Sequence, residues 1–307
     1  MFIILEGCDG SGKSTLAQTL CDRYDLKYHH EGPPPRNITP LEHYGSVLES
    51  YRWLLQGNAI NGVVFDRLAL GERVYGPIYR SEDRLNAVDW QIFRRLLMAA
   101  GAMHIMCRPD FTVCVQNWEN RQKTEMIRDR ETLRRIYDGY EALKFEAGPF
   151  IEYDYTNPHD LTMVEDYLAG WFGGLMRTLP PGINGSPLAR YMFVGDRGAR
   201  SGSWISDLAF FGMVKSSGYL NCAISDAGFK EEEIAFVNSR RHDGKNLDWP
   251  VVDVFIALGN NARAECRARH LRFEHLPHPQ HWKRFHAHEY DKYVDMLRKI
   301  RSKYEPA

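Results

Sequence analysis

Eight residues near the start of the chain have the types and spacing of a phosphate-binding loop. The segment Gly7-Cys-Asp-Gly-Ser-Gly-Lys-Ser14 fits the pattern G-x-x-x-x-G-K-[ST] without a gap. In such a loop the glycines let backbone N–H groups turn inward around phosphate oxygens, and the N-terminus of the following helix adds a positive dipole. Lys13 would reach the β- and γ-phosphates, and the Ser14 hydroxyl would bind Mg²⁺. The motif predicts a nucleoside triphosphate site, with ATP and Mg²⁺ as cofactors.

This triphosphate site requires a strand before the loop and a helix after it. Residues 2–5 form an apolar run of strand type, and Leu16 and Leu20 stand at helical spacing after the loop. Because both neighbours fit, a Gly-rich turn that matches by chance is the weaker interpretation. The residues predicted to bind the cofactor are Gly7, Asp9, Gly10, Ser11, Gly12, Lys13, Ser14 and Thr15.

A charged pair ends the next apolar run, at residues 62–66. A strand there would place Asp66 and Arg67 at its carboxyl end, where parallel sheets bind ligands. Asp66 could hold Mg²⁺ together with Ser14, or accept a proton from a hydroxyl nucleophile. Arg67 could bind the acceptor or the phosphoryl group in transfer. A structural ion pair at the end of the strand is the alternative.

Basic residues precede a predicted helix over residues 128–144. A lid that closes over the γ-phosphate would use such residues, because phosphoryl transfer depends on positioning and on neutralising charge. A solvated helix face would have the same composition. Lys123 is a further basic residue of this predicted lid. The predicted catalytic residues are Lys13, Asp66, Arg67, Arg121, Arg128 and Arg130.

Length and composition bound the class of protein. The chain has 307 residues, of which 44% are hydrophobic, so two packed domains are expected. No apolar run approaches the ~20 residues that span a bilayer, and the first predicted strand leaves no room for a signal peptide. The six cysteines are scattered, which favours reduced thiols in a cytoplasm. A net charge of −1 argues against a protein that binds nucleic acid over its whole surface.

A segment rich in Pro, Gly, Asn and Ser divides the chain. We predict a phosphate-loop kinase domain over residues 1–177, a linker over 178–189 and a second α/β domain over 190–307. Strand-like and helix-like segments alternate on both sides of the linker, which is typical of parallel sheets covered by helices. The expected fold is therefore a three-layer αβα domain with a parallel sheet, followed by a second α/β domain.

About the first 175 residues resemble thymidylate kinase and the related phage deoxynucleotide kinases. The resemblance implies that Asp66 and Arg67 work at the acceptor site. One departure concerns that site: thymidylate kinases usually have Arg-Glu-Pro after the second strand, whereas this chain has His29-His-Glu-Gly-Pro-Pro-Pro35. The matching pieces are the loop with its strand, Asp66-Arg67, Val74-Tyr-Gly-Pro77, Cys107-Arg-Pro109, Ile136-Tyr-Asp-Gly-Tyr140 and Tyr153-Asp-Tyr-Thr156.

The second domain is similar to the uracil-DNA glycosylase superfamily, whose α/β fold binds a base flipped out of a duplex. Carried over by position, the resemblance implies that Asp196, Asn238 and His278 line a base pocket. The chain departs at Asp196-Arg-Gly198, and Gln280 follows His-Pro where Ser is common, so we expect base or DNA binding without glycosidic cleavage. The matching pieces are Phe193-Val-Gly-Asp-Arg-Gly198, Ser201-Gly-Ser-Trp204, Phe236-Val-Asn238, Ile256-Ala-Leu-Gly259 and His275-Leu-Pro-His-Pro279.

Positive charge is concentrated in the last part of the chain. Lysines and arginines outnumber acidic residues between residues 263 and 303, and six histidines lie among them with Trp282 and Phe285. Basic and aromatic side chains together suit a phosphate backbone beside an unstacked base. The histidine spacing matches no closed zinc pattern. A solvated helix face would explain the final basic run alone.

Three hypotheses follow for the whole chain. The first is a kinase that phosphorylates the hydroxymethyl group of 5-hydroxymethyluracil in DNA, similar in logic to the 5-hydroxymethyldeoxyuridine DNA kinases of phages. In that case the protein would work in a host cytoplasm. The second is a kinase for free thymidine-type monophosphates, and the third is a nucleotide-gated DNA-binding protein without turnover. The sequence leaves open the acceptor, the choice between ATP and GTP, the chemical role of His278 and the oligomeric state.

Overall fold

Two five-stranded sheets organise the chain. The computed structural model describes residues 1–121, 127–148, 150–172, 178–197, 208–210, 215–241 and 247–305. These residues fall into two units, one for each sheet. The first unit comprises Met1–Tyr44, Trp53–Trp90 and Ala100–Arg177, and the second comprises Gly45–Arg52, Gln91–Ala99 and Thr178–Ala307.

The sheet of the first unit is entirely parallel, with the strand order β2-β3-β1-β4-β5. Its strands are β1 (Phe2–Glu6), β2 (Lys27–His30), β3 (Val63–Asp66), β4 (Met103–Cys107) and β5 (Phe150–Tyr153). The helices from this part of the chain are α1 (Lys13–Tyr24), α2 (Pro40–Gln56), α3 (Ala69–Tyr75), α4 (Ala87–Ala100), α5 (Phe111–Arg121), α6 (Arg130–Leu143) and α7 (Pro158–Phe172).

Burial explains which segments became the inner strands of this sheet. Every residue of β1, β3 and β4 is buried, as expected of a parallel strand covered on both faces. The edge strand β2, in contrast, is mostly exposed and polar. Leu16 and Leu20 of α1 pack into the core with Ile3 and Leu5, so the helix that follows the loop is fixed against β1.

The second unit has a mixed sheet with the order β10-β9-β7-β8-β6, in which β6 runs antiparallel to β8 and the other pairs are parallel. Its strands are β6 (Ile183–Gly185), β7 (Tyr191–Arg197), β8 (Ile234–Arg240), β9 (Val254–Leu258) and β10 (Phe273–Leu276). Its helices are α8 (Lys215–Asp226), α9 (Asn260–Ala268), α10 (Pro279–Phe285) and α11 (Tyr290–Tyr304).

The structure confirms the predicted α/β class, with a parallel sheet in the first unit and a second α/β sheet after it. It differs from the expectation at the linker. Residues 183–185 form β6, because Ile183 is buried and pairs with Val237 of β8. Within the described part of the chain, no helix combines the length and the apolar character needed to cross a membrane.

A buried ion pair within the second unit holds the segment that leads into β6. Glu49 and Arg52 are 0% and 3% exposed, and Nη1 of Arg52 lies 2.6 Å from Oε2 of Glu49. The guanidinium also donates to the carbonyl oxygens of Leu179, Pro180 and Ile183, at 2.8, 2.8 and 2.9 Å. The other oxygen of Glu49 accepts from the Gly182 amide. Removing one partner would leave the other charge buried and unpaired.

We therefore expect Arg52→Met to lower the free energy of unfolding by about 3–5 kcal/mol, because it removes the guanidinium that neutralises the buried Glu49 carboxylate. Urea unfolding followed by circular dichroism measures this change. Arg134→Met is the control, since Arg134 pairs with Asp138 on the surface and both side chains are more than half exposed. It should cost at most about 1 kcal/mol. Equal effects of the two substitutions would contradict the role given to Arg52.

Candidate functional site

The loop between β1 and α1 depends on glycine at close backbone contacts. Gly7 and Gly10 have φ angles of 146° and 79°, in the region that favours glycine. A Cβ atom on Gly7 would lie 2.4 Å from the carbonyl oxygen of Cys107, and one on Gly10 would lie 2.3 Å from that of Cys114. The loop is thus packed directly onto the end of β4 and onto α5, which holds its shape.

Lys13 is the first residue of α1, and its side chain folds back onto the loop. Its Nζ atom donates to the carbonyl oxygen of Cys8 at 2.6 Å and to Oγ of Ser11 at 3.3 Å. The side chain is only 6% exposed. The ammonium group is therefore held at the loop, where it could neutralise a bound phosphate.

Ser14 and Asp66 meet at the carboxyl ends of neighbouring strands. The Ser14 hydroxyl donates to Oδ2 of Asp66 at 2.6 Å, and the Tyr28 hydroxyl donates to the same oxygen at 3.2 Å. The other oxygen of Asp66, Oδ1, is buried and has no hydrogen-bond partner among the described residues. Hydroxyl and carboxylate oxygens are the ligands that Mg²⁺ prefers, so this pair fits the predicted metal site.

In the described ranges, no group of three or more His, Cys, Asp or Glu side chains is placed to hold a metal ion. An ion on Ser14 and Asp66 would therefore take its remaining ligands from phosphate oxygens and water, as Mg²⁺ commonly does beside a nucleotide.

Arg67 reaches the loop through Asp9. Its guanidinium forms an ion pair with Oδ1 of Asp9, which also accepts from the Tyr75 hydroxyl at 3.2 Å. The Cζ atom of Arg67 lies 4.5 Å from the centre of the Tyr75 ring, within cation–π distance. The backbone of Arg67 has φ 73° and donates to the Leu5 carbonyl oxygen at 2.9 Å. The pair predicted at the strand end is thus joined to the phosphate loop.

A first pocket, of about 240 Å³, lies on one side of the loop and is called the Asn117 pocket here. Nδ2 of Asn117 donates to the Gly10 carbonyl oxygen at 2.8 Å and to the Tyr155 hydroxyl at 2.7 Å. Its wall includes Gly10, Gly12, Thr15, Asn117, Arg121 and Tyr155.

A second pocket, of about 280 Å³, is called the Glu31 pocket. Both of its arginines are paired with carboxylates, Arg67 with Asp9 and Arg80 with Glu72. Its charged or ionisable lining residues are Asp9, His30, Glu31, Tyr44, Arg67, Glu72, Tyr75 and Arg80.

Glu31 is a member of this pocket that the sequence did not single out. It follows β2 in the stretch where the chain departs from thymidylate kinases, and that departure was the available signal. Its carboxylate accepts from Nε2 of His29 at 2.7 Å and from Nε2 of His43 at 3.0 Å. Burial alone would raise the pKa of Glu31, but these hydrogen bonds hold it below its ordinary value.

Glu6, at the end of β1, is a second carboxylate that the sequence did not reveal as special. It is completely buried and accepts from the Leu68 amide and from the Tyr140 hydroxyl, both at 3.1 Å. Burial raises the pKa of Glu6 to about 7, despite these hydrogen bonds and the nearby charges of Arg67 and Lys13. Glu6 links the start of the loop to the segment that follows Arg67.

The structure brings one of the three predicted lid arginines to the loop. Arg121, the last residue of α5, lines the Asn117 pocket. Arg128 is exposed before α6, while Arg130 lies in a separate surface groove with its Cζ atom 5.9 Å from the Phe111 ring centre. Lys123 falls outside the described residues.

In the second unit, residues from three separate parts of the chain meet around Gly195. Asn238 is its register partner on β8, and a Cβ atom on Gly195 would lie 2.8 Å from Oδ1 of Asn238 and 2.9 Å from the Phe210 ring. The Phe210 ring centre lies 6.2 Å from that of His278. Asp196 follows Gly195, and its Oδ1 atom is buried with no hydrogen-bond partner in the described ranges.

His278 has a defined position at the start of α10, where its Nδ1 atom accepts from the Gln280 amide at 3.2 Å. Burial lowers the pKa of His278, while the charge of Asp196 partly offsets this effect. Asp196 and His278 thus lie in one cluster with Asn238 and Phe210. Phe210 is an aromatic residue that the sequence did not reveal. The predicted motif at residues 201–204 lies outside the described residues.

Comparisons with known proteins gave matches among solved structures only. No protein-family model matches the chain, and no curated protein matches it. It is similar to the YorR protein from Bacillus subtilis in complex with phosphorylated GDP, with 17% identity, 57% of this chain and 96% of that chain covered, and a TM-score of 0.43. It is also similar to deoxyadenosine kinase from M. mycoides with bound dATP, with 16% identity, 55% and 99% covered, and a TM-score of 0.36.

The raised pKa of Glu6 predicts a pH dependence of stability. The folded state binds the Glu6 proton more tightly than the unfolded chain does, so stability should fall as pH rises from about 4.5 to about 7. The loss should be about 3 kcal/mol, and Glu6→Gln should remove it. Urea unfolding at pH 5 and pH 8 measures the difference. The exposed Glu119→Gln is the control. An unchanged pH dependence in Glu6→Gln would contradict the prediction.

Proposed function

We propose that the chain is an ATP- and Mg²⁺-dependent kinase that transfers the γ-phosphate to a hydroxyl group of a thymidine-type acceptor. The favoured acceptor is the hydroxymethyl group of 5-hydroxymethyluracil in DNA. One observation carries the proposal: the phosphate loop contributes to the walls of two pockets, Gly10 and Gly12 to the Asn117 pocket and Asp9 to the Glu31 pocket. A phosphate bound by the loop would face a nucleoside on one side and an acceptor on the other.

In this proposal the residues at the loop divide the work of phosphoryl transfer. Lys13 and Arg121 neutralise the phosphates of ATP, and Arg67 contacts the transferring group. Mg²⁺, when bound, draws charge from the β- and γ-phosphates. The hydrogen bond from Ser14 supports a metal-holding role for Asp66, while its free Oδ1 atom is the oxygen that would accept the proton. The acceptor oxygen bonds to the γ-phosphorus, ADP leaves, and the hydroxyl proton passes to the carboxylate.

The charge of the Glu31 pocket supports a hydroxyl acceptor over a phosphate acceptor. A nucleoside monophosphate brings a doubly charged group that usually needs free cationic side chains. Both arginines of this pocket are already engaged, Arg67 with Asp9 and Arg80 with Glu72. Each pair offsets part of the positive charge that a monophosphate would need, whereas an uncharged hydroxymethyl group needs no such charge.

The cluster in the second unit supports a substrate in DNA. We propose that Asn238, Asp196 and His278 hydrogen-bond an extruded base when the DNA is first bound, before the phosphoryl transfer at the Glu31 pocket, and that Phe210 stacks on it. A base pocket has no evident use for a kinase of free nucleotides, but it would serve one that modifies a base within a strand. In this proposal residues 1–177 carry the phosphate chemistry and residues 190–307 bind the DNA.

The first experiment is phosphate transfer from γ-labelled ATP with Mg²⁺ to dTMP and, in parallel, to DNA that contains 5-hydroxymethyluracil. We expect label on the DNA, and a loss of about a thousandfold in rate for Lys13→Ala and Asp66→Asn, because each removes charge stabilisation at the transferred phosphate. Lys27→Ala, on the exposed edge strand β2, should keep the wild-type rate.

Two results would count against this proposal. Label on dTMP alone would exclude the DNA base as acceptor. Label on neither would favour a nucleotide-gated binding protein.

The base pocket predicts a selective loss of DNA affinity. Asn238→Ala should weaken the binding of DNA with 5-hydroxymethyluracil by about tenfold and leave ATP binding unchanged, because a side chain that reads a base is worth about 1–3 kcal/mol. Fluorescence anisotropy at fixed salt measures both affinities. Asn261→Ala, an exposed asparagine on α9, is the matched control. An equal loss for unmodified single-stranded DNA of random sequence would indicate a backbone contact instead.

A further inference from the structure

Glu31 differs from the other carboxylates of its pocket in the partners it has. Asp9 and Glu72 are each paired with an arginine, whose positive charge cancels theirs at all physiological pH values. Glu31 is held by two imidazoles, with His29 on Oε2 and His43 on Oε1. Neutral imidazoles donate hydrogen bonds but cancel no charge. With both histidines neutral, the pocket therefore keeps the negative charge of Glu31.

Both imidazoles are fixed by aromatic neighbours. The His29 ring packs edge-on against Phe65 of β3, with 5.3 Å between ring centres, and the His43 ring packs against Tyr44 with 5.2 Å. Each imidazole takes a different oxygen of Glu31, so the carboxylate cannot turn without losing one of the two bonds. Glu31 is thus a fixed charge in the wall of the pocket.

We propose that His29, Glu31 and His43 form a charge filter, in which the fixed negative charge of Glu31 disfavours any acceptor that would place a phosphate group inside the Glu31 pocket. The filter rests on the proposed function, because it concerns the acceptor of that reaction. It makes Glu31 a specificity-determining residue and the two histidines its positioning residues.

The other charges that line the pocket come in pairs. Arg67 is paired with Asp9, and Arg80 with Glu72, so neither pair adds net charge. Tyr44 and Tyr75 stay neutral, because burial raises the pKa of each. His30 also lines the pocket.

The test measures equilibrium binding of 5-hydroxymethyldeoxyuridine and of its 5′-monophosphate to the full chain, by calorimetry with Mg²⁺ and a non-hydrolysable ATP analogue. At pH 8 we expect the nucleoside to bind more tightly than the monophosphate. Glu31→Gln keeps the shape of the side chain and should narrow the ratio of the two dissociation constants by about tenfold, the order expected for removing one charge at close range. The exposed Glu82→Gln makes the same charge change and should leave the ratio unaltered.

A second variant tests the positioning role of the histidines. His43→Phe keeps the charge of Glu31 and an aromatic ring beside Tyr44, but it removes one of the two hydrogen bonds that hold the carboxylate. It should narrow the ratio at pH 8, by less than Glu31→Gln does. Equal affinities for the two ligands at pH 8, an unchanged ratio in Glu31→Gln or no binding of either ligand would each overturn the filter. If the ratios behave as expected but no acceptor is phosphorylated, the filter stands and the kinase proposal fails. If DNA is phosphorylated but Glu31→Gln leaves the ratio of dissociation constants unchanged, the kinase proposal stands and the filter fails.

Discussion

The hydrogen bond from Ser14 to Asp66 joins two side chains that are 52 residues apart in the chain. It forms because β1 and β3 are neighbouring parallel strands in a register that sets Leu5 beside Asp66. Parallel strands end at the same edge of their sheet, so the loop after β1 and the charged pair after β3 open onto the same space. A shift of this register by one residue would turn Asp66 to the opposite face of the sheet.

Around this contact, the charged side chains have partners before any substrate arrives. Lys13 is held by the loop carbonyl of Cys8, Arg67 by Asp9, and Glu31 by two imidazoles. Such pairing lets charges stay in a partly buried site at a tolerable cost of desolvation. It also fixes their positions, and fixed dipoles and charges stabilise a transition state without further reorganisation. The arrangement is thus a preorganised electrostatic frame around the loop.

The sequence predicted the parts of this site that are local in the chain. The phosphate loop, β1, β3 and the pair Asp66-Arg67 are recognisable because short motifs and apolar runs define them. It did not predict β2, whose exposed polar residues lack the apolar pattern of a strand. Nor did it predict the partners of Glu31 and Glu6. Those depend on contacts such as Glu31 with His43 and Glu6 with Tyr140, which no local pattern encodes. The three second-unit residues were placed by resemblance to a family rather than by periodicity.

The backbone of Arg67 has a positive φ angle, which an arginine adopts at a cost of about 1 kcal/mol or more. Glycine or asparagine would relieve that cost at this position. Either substitution would also leave the partly buried Asp9 carboxylate without the guanidinium that neutralises it, and losing such a pair costs more than the strain. The strain at Arg67 is therefore outweighed by an ion pair that ties the end of β3 to the loop after β1.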